Sequence, residues 1–168
     1  MNPEARHLQE MLQNLYVRHR GLVGFIDESY RSNRDEEFPF YTVTATILDA
    51  EDLSEFRNDY FSIVGGHWWH TTEMYKNGET EKIKDFIRVL ANHESELVVS
   101  VQVEIEDGDL EHARRECLVQ IVSNLSSMGC NLVVYERRKD NKTRNSDAAL
   151  FSKASRDGFI PRNIRMFA

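Results

Sequence analysis

The sequence has only two cysteines, Cys117 and Cys130. Both sit within or beside apolar segments and share no metal-type spacing, so they read as small buried hydrophobes rather than as a disulfide. Long hydrophobic runs are also missing. Stretches such as Leu97 to Val99 fall far short of the roughly 20 residues that a membrane-spanning helix needs, and no membrane partner is expected. The first twenty residues include Glu4, Arg6, His7, Glu10, Arg18 and Arg20 and no signal-peptide core, which points to the cytoplasm. There is no internal repeat. The rest is an ordinary globular mix, 40% hydrophobic and 29% charged, which indicates neither disorder nor a membrane protein. With 168 residues the chain holds one domain with a proper core, expected as an N-terminal helix over 1–20 and a domain over 21–168.

The net charge of −7 conceals a split. Residues 1–113 carry 10 Lys and Arg against 23 Asp and Glu, a net of −13, while residues 114–168 carry 11 against 5, a net of +6. A basic part of this kind suits a surface that meets nucleic acid; two halves of opposite sign can also simply neutralise each other once folded together.

The stretch Leu22 to Tyr30 reads as a buried strand that ends abruptly in Asp27 and Glu28, before a polar, charged loop over 31–37. Period-two alternation puts Phe25, Asp27 and Ser29 on one face and Ile26 and Glu28 on the other, so the two acids have different surroundings. An ionised carboxylate at the edge of a core is costly without a cation, a metal or several donors, although a solvated strand end accounts for the same residues. Phe40 to Leu48 alternates with high β-branched content and is the clearest strand, joined to the first by a hairpin. Helices follow from apolar spacing over 53–63, 79–92 and 109–128, with strands over 97–105 and 131–136. The continuous hydrophobicity of 97–105 suits an interior strand. Ser146 can cap a helix to Asp157, and 163–167 forms a last short strand. The N-terminal segment with Leu8, Met11, Leu12 and Leu15 is amphipathic. A hairpin followed by alternating strands and helices implies an α/β fold, a mixed sheet covered by helices on both faces.

Between the helices lies an irregular segment, expected as an irregular strand, with both tryptophans and His67, His70 and Glu73. A zinc site is disfavoured there, because residues three apart on a strand or loop do not point the same way and no third ligand has a recognised spacing; aromatic packing fits better. Elsewhere acids recur at element ends: Asp27, Glu73, Glu136 and Asp147. Carboxylates from scattered elements are what two-metal phosphoryl chemistry requires, in a chain whose 28 acids are mostly surface charge. Glu136 opens onto the basic run Arg137, Arg138, Lys139, Lys142 and Arg144, which suits phosphate contacts or a solvated loop.

Phe25-Ile26-Asp27-Glu28-Ser29, His70-Thr71-Thr72-Glu73, Arg114-Arg115-Glu116-Cys117-Leu118 and the stretch from Tyr135-Glu136-Arg137-Arg138 to Asn145-Ser146-Asp147 together resemble a bacterial domain-of-unknown-function family with a ribonuclease H-like fold. Its members open with an aromatic-Ile/Val-Asp-Glu-Ser-Gly strand, where this chain has Tyr30 in place of the glycine. The resemblance implies a ribonuclease H-like mixed β-sheet flanked by helices and a nuclease-type site for Mg²⁺ or Mn²⁺. Asp27 would be its firmest ligand, with Glu73, Glu136 and Asp147 completing the set and the basic run holding nucleic acid, DNA or RNA. The resembling proteins continue into a C-terminal helix with a further acid, whereas this sequence ends at Ala168. The alternative that follows is a non-catalytic binding or assembly domain with an incomplete site. A homodimer is expected on the sheet face left bare, with Met11, Leu12 and Leu15 as candidates to cover it.

Overall fold

In the computed structural model the described residues are 14–15, 17–31, 38–65, 69–93, 95–105, 109–136 and 141–167, the side chains of 141–145 excepted. The N-terminal helix expected around Met11 and Leu12 falls largely outside them. The chain divides into two compact units, Met1–Arg20 with Leu48–Glu96, and Gly21–Ile47 with Leu97–Ala168. The expected organisation was an N-terminal helix over 1–20 and a domain over 21–168; here 48–96 groups with Met1–Arg20. That unit has an aromatic cluster of its own, which hydrophobic periodicity does not reveal.

Strands β1 (Leu22–Arg31), β2 (Phe40–Asp49), β3 (Glu96–Val103), β4 (Leu132–Tyr135) and β5 (Arg165–Phe167) form one sheet in the order β3-β2-β1-β4-β5. Strand β4 runs parallel to β1, with Val23 opposite Leu132 and Ile26 opposite Tyr135, and β5 runs parallel to β4. The connection 32–39 between the adjacent β1 and β2 is shorter than the dozen or so residues a parallel crossover needs, so that pair is a hairpin. The sheet is therefore mixed, as the order of elements implies.

Helices α4 (Leu110–Ser127) and α5 (Asn141–Arg156) supply the rest of this unit's core. On β2, Tyr41, Val43, Ala45 and Ile47 are buried while Thr42, Thr44 and Thr46 are half-buried, the alternation that the sequence carries. Strand β1 meets α4 at Gly24, where an added Cβ would lie 3.0 Å from Leu125 Cδ1 and 3.3 Å from Cys130 Sγ; only glycine allows so close an approach. The buried stripe of α4 is Ala113, Arg114, Cys117, Leu118, Ile121, Val122 and Leu125. All but one are apolar or behave so, and the exception defines the site. Gly129, at φ +84°, follows the helix, in a conformation that an L side chain rarely adopts.

In the other unit, α1 (Leu53–Val64), α2 (Thr71–Lys76) and α3 (Thr80–Asn92) gather Phe56, Tyr60, Trp69 and Phe86. The Phe86 ring lies 5.1 Å from Trp69 and 5.5 Å from Tyr60. His93 meets Phe56 edge-on, its Nε2 3.0 Å from Asp59 Oδ2. Aromatic packing thus holds for Trp69, while His67 and Trp68 lie outside the described residues.

Three expectations about elements are corrected. The irregular strand near 70 is the short helix α2, because the residues after Trp69 satisfy their backbone locally, with Met74 N–H donating to His70 O. Helix α5 begins at Asn141 rather than Ser146. Strand β3 is an edge strand, and Leu97, Val99, Val101 and Val103 are 49–63% exposed. A run of β-branched residues reads the same whether the strand is interior or at an edge with an apolar outer row, so sequence could not separate the two.

Candidate functional site at the carboxyl ends of β1 and β4

Near its end β1 presents two acids to opposite sides of the sheet. Gly24, Ile26 and Glu28 face α4, whereas Asp27 is exposed on the other face. The same alternation in β4 sends Val133 and Tyr135 toward the helices, where Tyr135 packs 5.6 Å from Phe151, and leaves Glu136 exposed. The parallel register runs to Ile26 opposite Tyr135, and the residues that follow this last pair are Asp27 and Glu136, both exposed. Asp27 Oδ1 accepts a 2.8 Å hydrogen bond from the Glu28 backbone N–H. Between β1 and β4 the chain also switches direction across the sheet, the crevice where open α/β sheets characteristically bind ligands.

On the helix side, Glu28 and Asp147 close on one arginine. Arg114 Nε and Nη2 donate to the two Glu28 oxygens, each at 2.9 Å. Its Nη1 and Nη2 donate to Asp147 at 2.6 and 3.2 Å. Arg114 and Asp147 are almost fully buried, and Glu28 is partly so. The Tyr41 hydroxyl donates to Glu28 Oε2, and Tyr30 stacks on Tyr41 with centroids 5.6 Å apart. Burial opposes the guanidinium charge, but the hydrogen bonds and charges of Glu28 and Asp147 outweigh it and hold the Arg114 pKa above its ordinary value. Two bidentate forks of this kind use the planar geometry that arginine alone provides.

The four expected metal ligands therefore have different fates. Asp27 and Glu136 are exposed. Asp147 is an ion-pair partner of Arg114, 3% exposed; a buried carboxylate needs a fixed cation and the guanidinium supplies one. Glu73 is exposed on α2, in the first compact unit. Among the described residues no three His, Cys, Asp or Glu side chains are grouped so as to hold a metal ion. Arg137, Arg138 and Lys139 lie outside the described residues, and Lys142 and Arg144 fall in the first turns of α5.

Sequence reading passed over Arg114, Glu28 and Tyr41 as functional residues. The available signal was Arg114 itself, which occupies the apolar stripe beside Ala113, Cys117 and Leu118, where an unpaired charge is not tolerated.

The strand order and directions define a mixed α/β sheet flanked by helices. No family model matches the sequence and no curated protein does. Among solved structures, Bst-RNase HIII in complex with Mn²⁺ is similar at a TM-score of 0.44 and 12% identity. The match covers 92% of this chain, which spans about half (47%) of that one. Among the described residues no helix is long and apolar enough to cross a membrane.

Proposed function

We propose that the protein is a metal-dependent nuclease-like protein acting on nucleic-acid phosphodiesters, with Asp27 and Glu136 as the carboxylates that hold the cation. What supports this reading is the parallel register of β1 and β4, which ends at Ile26 opposite Tyr135 and, continued by one residue, would bring the exposed Asp27 and Glu136 to neighbouring positions at a strand switch point. Two carboxylates do not form an all-protein cage. They fit Mg²⁺ or Mn²⁺ held jointly with phosphate oxygens, the usual way Mg²⁺ is bound at phosphoryl sites. When bound, the cation would offset the negative charge that develops on a phosphodiester as it is cut. The chain's own residues hold that position: Asp27 is oriented by the Glu28 N–H, and Glu136 is carried by β4, which hands the chain to the basic segment 137–144. That segment would hold the nucleic-acid backbone on either side of the acids. Glu73, exposed on α2, stays a proposed ligand. Membership of the bacterial family and a cytoplasmic location belong to the same proposal.

A second reading, a non-catalytic ribonuclease H-like binding or assembly domain that dimerises, is favoured by the exposed row Leu97, Val99, Val101 and Val103 on the sheet edge. Titration of the protein with Mn²⁺ by electron paramagnetic resonance, alongside cleavage of labelled DNA, RNA and hybrid oligonucleotides, separates the two. The nuclease reading requires bound Mn²⁺ that is lost in Asp27→Asn and in Glu136→Gln, together with metal-dependent cleavage. Binding unaffected by both substitutions sinks the site, and Mn²⁺ binding without cleavage leaves the second reading.

A further inference from the structure

Arg114 lies on the side of the sheet away from the open acids, yet it is connected to one of them through a continuous chain of contacts. Its fork holds both Glu28 oxygens, and the Tyr41 hydroxyl donates to one of the same atoms. The Glu28 side chain is thereby fixed on one face of β1. The peptide N–H of that same residue donates to Asp27 Oδ1 at 2.8 Å on the other face. We propose that Arg114 is a positioning residue for Asp27, which acts through Glu28 and across the sheet. The proposal rests on the reading of Asp27 and Glu136 as the cation-holding pair and deepens it.

Two further features bear this out. The second fork of Arg114 grips Asp147 on α5, the helix into which the chain runs after Glu136. One side chain therefore ties the strand that carries Asp27 to the element that follows the other acid. The cluster also has two carboxylates against one guanidinium, and the charge in excess is negative, the sign that favours a cation near Asp27. Tyr30, where the chain departs from the glycine of the resembling family, braces the group by stacking on Tyr41. Groups that orient a ligand without touching the metal commonly account for tenfold to a hundredfold in metal affinity.

The test compares Arg114→Lys and Tyr41→Phe with Leu118→Ala in the full chain. Leu118 is on the same buried stripe but has no link to Glu28, so it controls for loss of stability alone. We expect Arg114→Lys to weaken Mn²⁺ binding about tenfold or more, and Tyr41→Phe to weaken it less. Leu118→Ala should lower the melting temperature while leaving Mn²⁺ affinity within about twofold, since its cost is a core cavity. Mn²⁺ affinity that falls in step with melting temperature across all three variants overturns the positioning role, as does an unchanged affinity in Arg114→Lys.

If the wild-type chain binds no Mn²⁺, the cation reading fails and the linkage is read without metal. The hydrogen bond from the Glu28 N–H to Asp27 is then read by NMR: the Glu28 amide proton should move upfield and exchange faster in Arg114→Lys than in the wild type. Tyr41→Phe serves the same reading should the lysine variant not fold. A Glu28 amide unchanged in both variants overturns the proposal.

Discussion

Arg114 and Asp147 are 33 positions apart in sequence and meet through two hydrogen bonds of 2.6 and 3.2 Å in a site that solvent hardly reaches. Removing the arginine takes two charge-assisted hydrogen bonds from the buried Asp147 and two from Glu28. We expect Arg114→Met to destabilise the fold by about 3–5 kcal/mol, the usual cost of breaking one side of a buried pair. Urea unfolding measures it. The triple variant Arg114→Met, Glu28→Gln, Asp147→Asn should recover much of the loss, since no uncompensated charge is then buried.

The open acids should behave oppositely. Asp27 and Glu136 are exposed, and substitutions at such positions rarely change stability. Asp27→Asn and Glu136→Gln should therefore unfold at the wild-type urea concentration. A large fall in that midpoint would make them structural rather than ligand-holding residues.

Gly24 faces Leu125 and Cys130 with no room for a methyl group. Gly24→Ala forces β1 and α4 apart, and we expect a loss of about 1–3 kcal/mol, as for overpacked cores generally. Leu125→Ala in the same background should relieve part of it, and a thermal or urea double-mutant cycle reads the coupling.

Burial pushes the thiols of Cys117 and Cys130 above their ordinary pKa. The folded state then keeps protons that the unfolded state loses as pH rises beyond the normal thiol range, about 8.5. The sign follows: this contribution is fully present below that range and declines as pH rises through it toward the raised folded values. Stability should fall between pH 8 and 10, and less steeply in Cys117→Ala with Cys130→Ala. Thiol labelling at pH 8 should proceed only as fast as the protein opens.

Nucleic-acid binding, if carried by Arg137, Arg138, Lys139, Lys142 and Arg144, should be salt-sensitive. With three of them on phosphates, log K against log salt has a slope of about −2 to −3. Filter binding of Arg137→Ala, Arg138→Ala, Lys142→Ala should flatten it; an unchanged slope would make the run a solvated loop.

The alternation in Leu22 to Tyr30 and in Phe40 to Leu48 was enough to give two strands, the hairpin and the division of Asp27 from Glu28, because a strand's side-chain period is fixed by the backbone alone. Helix α4 was equally plain from its apolar spacing, as was its stop at Gly129. The edge position of β3 was hidden, since strand order depends on pairing partners remote in sequence. So was the grouping of 48–96 with Met1–Arg20, in which aromatic rings converge from α1, α3 and the loop residue Trp69.

The same division runs through the site. Local sequence determined that an acid follows β4 and that an arginine occupies the stripe of α4; the expected end of β1 at Asp27 and Glu28 was not met, since the strand runs on to Arg31. Only the tertiary structure decided which acids stay open. Arg114 finds Glu28 86 positions away and Asp147 33 positions away, and no periodicity encodes such a choice. It is made by burial: a guanidinium forced into the core takes the carboxylates Glu28 and Asp147, while Asp27 and Glu136 stay exposed.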